Sequence, residues 1–454
     1  MLRLAARAVG RCRRSMPSVD AGGGEAGGRV DYNSPSLRSP ALTVPHSSRS
    51  RIGMIKRLYA PLIAALSGFW IFLAATVPAG AQTVSELEDA PQPDVTSATL
   101  VPTFPQDLIL LPEDVQSAAI EGLAADAAEI PAGVSGADEA WYRAQVAYVG
   151  EDWASARNYA ETAAVGGIVD AALLSGIMAR NGAGGPVDLS AAARWFNRAA
   201  DRDDPVALYN LGQLARLGDP SLGLGQAEPW FERSARAGHI PAMVEHAINL
   251  RASPVPQDAI TAREWAGRAA QQGSAEGMYQ LAQLLDAGQG GPRDAAGARV
   301  WYERAANDRL AEAAFQAGMM WADGEGGEQD DETAREWLRI AAESGYAPAQ
   351  GQYGLMMYQG RGGATDIEMA AHWFSRGARG GDAESQFLYA FTLARGEGVP
   401  QDLEMAYRWT LLASIDHLGA PVHDRDRERL EAGLEGVLSP DVRQRIRAEF
   451  EALR

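Results

Sequence analysis

The chain has 454 residues, and its 46% hydrophobic content supplies enough apolar side chains for a buried core, which excludes wholesale disorder. Its formal net charge is −18. This charge argues against a nucleic-acid partner, because proteins bind a phosphate backbone through an excess of Lys and Arg. The single cysteine, Cys12, excludes a disulfide framework and a cysteine-rich zinc site.

The charge is unevenly distributed along the chain. Residues 1–57 carry eleven basic and three acidic side chains, residues 58–81 carry none, and the remainder carries 30 basic and 56 acidic side chains. A positive flank followed by an uncharged apolar stretch, which ends in the small residues Ala79-Gly80-Ala81, is typical of an export signal. We therefore predict a periplasmic protein whose acidic body lies beyond the membrane.

The predicted signal peptide covers 54–81, with cleavage before Gln82. An uncleaved inner-membrane anchor is the alternative, because the apolar run at 58–77 has about the twenty residues that cross a bilayer. In that case, the membrane is contacted through these residues alone.

Two further segments at the N-terminal side lack a repeating apolar pattern. Residues 1–53 are rich in Arg, Ser, Pro and Gly, which predicts a disordered or wrongly assigned start, with translation beginning at Met54. A basic cytoplasmic tail on an anchored protein is the alternative. Residues 82–135 are rich in Pro and acidic side chains, which predicts an extended linker with one short helix near 113–128.

Aromatic side chains recur every 35 or 36 residues through most of the remaining chain. The same spacing recurs in a small pair four and five residues later, a small residue seventeen later and a glycine twenty-three later, as in Ala199-Ala200, Gly212 and Gly218 after Trp195. Such a period indicates a repeat protein. The eight aromatic residues are Tyr159, Trp195, Trp230, Trp265, Trp301, Trp337, Trp373 and Trp409.

Each recurring feature has a structural interpretation. The aromatic residue is a core knob between two helices, the small residues allow those helices to approach closely, and the glycine ends the second helix in a left-handed conformation. The unit is therefore two antiparallel helices of about 13 residues, and such pairs bury their apolar faces only by stacking. We predict an all-α solenoid of about eight stacked 36-residue helix-turn-helix repeats over 136–420, with capping helices over 421–454.

The sequence resembles Sel1-like repeats, which are 36-residue relatives of the tetratricopeptide repeat. The resemblance is strongest in AREWLRIAAESGYAPAQGQYGLMMYQGRGG at 334–363 and ARVWYERAANDRLAEAAFQAGMMWADGEGG at 298–327, and it is weaker where ASPVPQD replaces the glycine loop at 252–258. The family implies adaptors or scaffolds, and its exported bacterial members are tied to envelope assembly, exopolysaccharide control or signalling. A cysteine-rich branch is linked to β-lactam hydrolysis, but the paired cysteines of that branch are absent here.

No catalytic constellation emerges from the sequence. The Gly-x-Gly loops follow helices and lack the Lys-Ser/Thr of a phosphate-binding loop. No two histidines have the spacing of a zinc site that includes a carboxylate, and no Gly-x-Ser-x-Gly or Ser-x-x-Lys motif is present. We therefore predict no catalytic residue, no metal, no cofactor and no enzymatic activity.

The remaining candidate site is a surface with amide side chains in one register. In stacked helix pairs, the first helix of each pair usually lines the groove that binds the partner, and amides can hydrogen-bond an extended peptide backbone whatever its side chains. An ordinary solvated face is the alternative. The predicted amide ladder consists of Asn210, Glu245, Gln280, Gln316 and Gln352, with Gln213, Gln283 and Met319 one turn further on.

These observations predict a non-catalytic scaffold in the bacterial cell envelope. Its partners are expected to be other envelope proteins or peptides, bound on the concave face of the solenoid. An exported hydrolase of cell-wall or β-lactam chemistry is one alternative, and it would require a nucleophile with a nearby base. A scaffold of polysaccharide export machinery is another, and clustered exposed aromatic residues on the groove would favour it.

Overall fold

The computed structural model describes residues 136–415 and 424–452, and the regular elements within these stretches are eighteen α-helices and one short 3₁₀-helix. This architecture confirms the predicted all-α solenoid. The helices are α1 Ala137–Val149, α2 Trp153–Val165, α3 Val169–Asn181, α4 Leu189–Ala200, α5 Pro205–Arg216, α6 Glu228–Arg236, α7 Ile240–Ala252, α8 Pro256–Gln271, α9 Ala275–Ala287, α10 Ala295–Asn307, α11 Ala311–Asp323, α12 Asp331–Glu343, α13 Ala347–Gln359, α14 Ile367–Arg379, α15 Ala383–Arg395, α16 Leu403–Ala413, α17 Arg425–Val437 and α18 Pro440–Ala452.

The predictions for 1–53, 54–81 and 82–135 lie outside the described residues, and so does the expected boundary between 420 and 421. Within the described part of the chain, no helix combines the length and the apolar character needed to cross a membrane.

The helix ends follow the predicted chemistry. Aspartate side chains accept backbone N–H groups at the starts of α4, α10, α12, α14 and α16, as the Asp366 carboxylate does from the N–H of Met369 at 2.9 Å. At the other end of the repeat, α11 stops at Gly324, whose φ of 69° is left-handed. Equivalent left-handed glycines end α3, α9, α13 and α15. Glycine at this register therefore stops the helix, as predicted.

Two sets of helices alternate along the array. The aromatic helices α2, α4, α6, α8, α10, α12, α14 and α16 carry the eight register aromatics, and the ladder helices α3, α5, α7, α9, α11, α13 and α15 follow them. Each ladder helix packs against the aromatic helix before it and the one after it. Ladder helices of neighbouring repeats also contact each other directly, α7 with α9 and α13 with α15.

The position of the aromatic residue corrects the sequence interpretation. Trp373 is buried, whereas the other seven register aromatics are half-buried and pack at the border of the core. The central knob is instead the next residue along the helix, such as Phe196 or Phe231, and both of these are 0% exposed. A Cβ on Gly212 would lie 2.6 Å from the Phe231 ring. The small residue therefore makes room for a side chain of the following repeat.

The three glycines of a Gly-x-Gly-Gly loop have different structural roles. The first ends the ladder helix, as described for Gly324. The second allows two backbones to approach, since a Cβ on Gly362 would lie 2.0 Å from the Asp331 carbonyl oxygen. The third makes room for an arginine of the preceding aromatic helix: the Nη1 of Arg335 donates to the Ala364 carbonyl at 3.2 Å, and a Cβ on Gly363 would lie 2.4 Å from that nitrogen.

This arginine and the third glycine occur together along the array. In the last loop of this type, Ala371 replaces the arginine and Val399 replaces the third glycine. The arginine and the third glycine are therefore replaced together, because they form the two sides of one contact between consecutive repeats. The four complete pairs are Arg157 with Gly185, Arg263 with Gly291, Arg299 with Gly327 and Arg335 with Gly363.

The C-terminal helices cover the last repeat, as predicted for a cap. Arg427 of α17 is 8% exposed and donates to the Ala413 carbonyl at 2.6 Å and to the Glu384 carboxylate at 2.8 Å. On α18, the Nε of Arg447 donates to the Tyr407 hydroxyl at 2.7 Å. The cap is therefore fixed to α15 and α16 by charged hydrogen bonds as well as by apolar packing.

Candidate partner-binding surface

The predicted amide ladder lies on consecutive ladder helices. Asn210, Glu245, Gln280, Gln316 and Gln352 belong to α5, α7, α9, α11 and α13, respectively. Gln213, Gln283 and Met319 follow one turn later on α5, α9 and α11, where i and i+3 side chains share a helix face. The structure therefore places these side chains in one register along five neighbouring helices.

Some of these side chains are not available at the surface. Asn210 is 5% exposed, and its Nδ2 donates to the Val206 carbonyl at 2.8 Å. Met319 is 8% exposed and belongs to the core. The expectation that the ladder is an open row of groups is therefore wrong for these two residues, because the helix packs that part of its face inward.

The other ladder side chains are half-buried, and several of them have partners within the array. The Nε2 of Gln213 donates to the Tyr209 hydroxyl at 2.7 Å. Gln280 has a buried Oε1 for which the described residues provide no hydrogen-bond partner. Gln316 and Gln352 are half-buried on α11 and α13. The surface is thus a mixed polar strip with partly engaged amides.

Arginines of the preceding ladder helix engage the N-terminal part of the ladder, and sequence reasoning missed them. The Nη1 of Arg180 donates to the Oδ1 of Asn210 at 2.5 Å, and Arg251 donates to the Oε1 of Gln283. Arg216 pairs with Glu245 at 2.6 Å. The available signal was their common register, 21 residues after Tyr159, Trp195 and Trp230.

Burial changes the acid–base properties of the residues around these arginines. Removal from water lowers the pKa of Arg180 and raises that of Tyr209. Burial also raises the pKa of Asp204, although backbone N–H bonds to its carboxylate partly oppose this rise. Among the described residues, no carboxylate lies within 4.0 Å of Arg180 or Arg251, whereas Arg216 has one.

The described residues contain no group of three His, Cys, Asp or Glu side chains that could hold a metal ion. Burial lowers the pKa of His239 to about 4, and its ring lies 4.8 Å from that of Tyr209. The ring of His246 packs edge-on against Trp265 at 5.7 Å. Both histidines therefore pack against aromatic rings of other helices.

Comparison with known proteins supports the repeat assignment. The model of the Sel1 repeat matches seven times in tandem, with each match beginning at or beside a ladder helix and including the next aromatic helix. Helices α1 and α2, which hold the first predicted repeat around Tyr159, precede the first match. The matched residues are 169–204, 205–239, 241–274, 275–308, 311–346, 347–382 and 383–414.

Several solved structures are similar to this chain. A Sel1 repeat protein from Oxalobacter formigenes has 25% identity and a TM-score of 0.50, covering 66% of this chain and 85% of its own. The c5321 protein, a protective antigen of uropathogenic Escherichia coli with an SLR fold, has 18% identity and a TM-score of 0.42, covering 74% of this chain and 82% of its own. No curated protein matches the chain.

The seven matched repeats account for more than half of the chain and coincide with the helix pairs of the structure. Sel1 repeat proteins are generally scaffolds for protein–protein interaction. The tandem matches, the alternating helices and the glycine-ended turns together show that this chain belongs to the Sel1 repeat family.

Proposed function

We propose that this protein is a non-catalytic scaffold in the bacterial cell envelope that binds a partner protein or peptide along its ladder helices. The observation that carries the proposal is the tandem array of seven Sel1 repeats, which presents chemically similar side chains in one register over five consecutive ladder helices. Such a surface suits an extended partner, because each repeat can contact a further segment of the same chain.

Direct contacts between neighbouring ladder helices support their assignment to the inner side of the array. The helices on the inner side of a curved solenoid approach each other more closely than those on the outer side. The contacts of α7 with α9 and of α13 with α15 fit that arrangement. The proposed partner therefore lies on the concave face, across the ladder helices.

The aromatic helices are less suited to bind a glycan by stacking. Sugar stacking requires an exposed aromatic face, but the register tryptophans are half-buried or buried. Arginines cover several of them, as Arg268 does Trp265 at 4.5 Å and Arg304 does Trp301 at 4.6 Å. These contacts favour a protein partner over a polysaccharide.

Site-specific photo-crosslinking in living cells tests the binding surface. A photoreactive residue at position 213, 283 or 316 on the ladder helices should form a discrete adduct with the same partner. The matched controls are positions 264 and 300 on the aromatic helices, where Glu264 and Val300 are exposed. Adducts that arise from the control positions alone would exclude the ladder surface.

The proposed location follows from the charge pattern of the sequence and has its own test. N-terminal sequencing of the native protein from a periplasmic fraction should yield a mature chain that begins at Gln82. A membrane-bound chain that retains residues 54–81 would instead indicate an anchored scaffold with the same ladder surface.

A further inference from the structure

Three arginines lie in one row across the ladder helices. Arg180, Arg216 and Arg251 occupy the last turns of α3, α5 and α7, and we call them the arginine row. They are 36 and 35 residues apart, which is the spacing of the repeats themselves. Each one reaches a ladder side chain on the next ladder helix. The row therefore runs along the array and crosses from one repeat to the next.

The arginine row is locally positive on a strongly acidic protein. Within α3, α5 and α7, the acidic residues are Asp170 and Glu245. Asp170 lies ten residues before Arg180, roughly 15 Å away along the helix axis at about 1.5 Å per residue. These helices themselves thus place three positive charges against the one negative charge of Glu245, with Glu228 of α6 as a further negative charge that acts on Arg216. The whole chain has a net charge of −18.

The positive charge ends abruptly after α7. The residue at the same register on α9 is Asp286, which pairs with Arg293 at 2.7 Å. On α11 and α13, the register holds Ala322 and Tyr358, and the Tyr358 hydroxyl is hydrogen-bonded to the Glu397 carboxylate. The arginine row is therefore confined to one end of the ladder surface, which gives the surface a direction.

Two of the three arginines have neutral partners. Arg180 donates to the amide oxygens of Asn210 and Asn181, and Arg251 donates to that of Gln283. Each guanidinium group has five N–H donors, so these amides satisfy only part of it. A planar guanidinium binds a carboxylate through two parallel hydrogen bonds, and such a pair is stronger than a neutral one. Both arginines therefore retain charge and donor capacity that a carboxylate ligand would satisfy.

We propose that the arginine row binds an acidic, extended segment of the partner protein. This inference rests on the proposed function and names the chemistry of its partner. Arg180 and Arg251 lie two repeats apart, roughly 20 Å if neighbouring ladder helices are about 10 Å apart. An extended chain advances about 3.3 Å per residue, so the two carboxylates of the segment are about six residues apart. The acidic end lies over α3 to α7, and the remainder continues over α9 to α13.

Within the protein itself, Glu245 already makes the arginine–carboxylate contact that we propose for the partner. Its carboxylate binds both terminal nitrogens of Arg216, and thus occupies the middle of the arginine row. A partner carboxylate at this position would have to displace it. Glu245→Gln should therefore free Arg216 and strengthen the binding of an acidic segment, a gain that misfolding would not produce.

Fluorescence anisotropy with the full chain tests the proposal. The probe is a short labelled peptide of Ala, Ser, Thr and Val with Glu at the two ends and at the middle of a spacing of about six residues. The matched probe has Gln in place of each Glu. At low salt, the acidic peptide should bind at least roughly tenfold more tightly, since hydrogen bonds to charged groups are each worth about a factor of ten or more. High salt should reduce the difference.

Three variants test whether the arginine row causes the preference for the acidic peptide over the Gln peptide. The double variant R180Q/R251Q should bind both peptides equally, whereas E245Q should bind the acidic peptide about tenfold more tightly than wild type. The control is R268Q/R304Q, which removes two exposed arginines, one on α8 and one on α10, with the same change in charge. Circular dichroism should show the same helical content for all of them.

The possible results separate this inference from the proposed function. Equal binding of both peptides to wild type, an effect of R268Q/R304Q as large as that of R180Q/R251Q, or no gain in E245Q would each overturn the arginine row as an acidic-segment site. If crosslinks from position 316 persist in that case, the scaffold function stands and only the partner chemistry is wrong. If those crosslinks are absent too, both are wrong.

Discussion

The pairing of Arg335 with Gly363 provides a sharp test of how consecutive repeats are joined. A Cβ on Gly363 would lie 2.4 Å from the Nη1 of Arg335, and Gly363 does not have a positive φ. In Gly363→Ala, the backbone is thus unstrained, and the guanidinium must move away and lose its bond to the Ala364 carbonyl, which is 3.2 Å long. Such a bond from a charged donor contributes about 1–2 kcal/mol at a partly exposed site.

The sign of the effect should depend on the arginine. With Arg335 present, G363A should lower the free energy of unfolding by about 1 kcal/mol. In an R335A background, the same substitution should be neutral or raise it by about 0.5 kcal/mol, because alanine restricts the unfolded chain more than glycine does. The coupling energy is therefore about 1–2 kcal/mol. The next repeat agrees with this expectation, because Ala371 and Val399 replace the arginine and the glycine together at the equivalent positions.

Urea unfolding followed by far-ultraviolet circular dichroism measures the cycle, provided that the four proteins share one m-value. The control is Gly362→Ala, because Gly362 has a φ of 65° and its Cβ would meet the Asp331 carbonyl oxygen of the backbone. That substitution should cost more than about 2 kcal/mol in both backgrounds. An equal cost of G363A with and without Arg335 would refute the steric coupling.

Three further predictions concern a helix end, a buried histidine and the cap. Gly324→Val should lower thermal stability without changing the affinity for a partner, because position 324 needs a left-handed φ of 69°; selective loss of binding by a fully folded variant would contradict this. Burial lowers the pKa of His239 to about 4 from an ordinary 6.5, so its neutral form stabilises the fold above pH 6.5 and this contribution is lost as the pH falls towards 4. Allowing for the exposed part of the ring, H239Q should remove about 1–2 kcal/mol of the change in the free energy of unfolding between pH 6.5 and 4, as measured by urea unfolding at a series of pH values. If the free energy of unfolding of H239Q depends on pH as that of wild type does, the histidine is not the cause. Arg427→Met should cost about 2–3 kcal/mol at neutral pH because it leaves Glu384 without its cation, and the double change with Glu384→Gln should recover most of the loss; no recovery would indicate that the ion pair is not the cause.

The repeat period determined most of the architecture from sequence alone. Aromatic, small and glycine positions with one spacing fixed the number of helices per unit, their approximate length and the left-handed ends at residues such as Gly324. These are local properties, because a helix stop or an N-cap depends on the residue and its near neighbours. The stacking followed from them, since a single pair cannot bury its apolar face.

The tertiary structure decided which side of each helix faces the core. Periodicity could not decide which of Trp195 and Phe196 is the central core residue, because both are large apolar residues and they are neighbours in the sequence. Only the stacked array shows that Phe196 is fully buried. The third loop glycine also has a cause outside its own loop, in an arginine of the preceding aromatic helix.

The same limit applies to the candidate surface. The register of the amides was visible in the sequence, but the engagement of Asn210 by Arg180 joins residues 30 positions apart in two repeats. Exposure and pairing of this kind depend on how neighbouring repeats approach each other, which no single repeat encodes. The sequence alone thus determined the repeated helix pairs and the register of the ladder side chains. The stacked structure determined which of these side chains remain available to a partner.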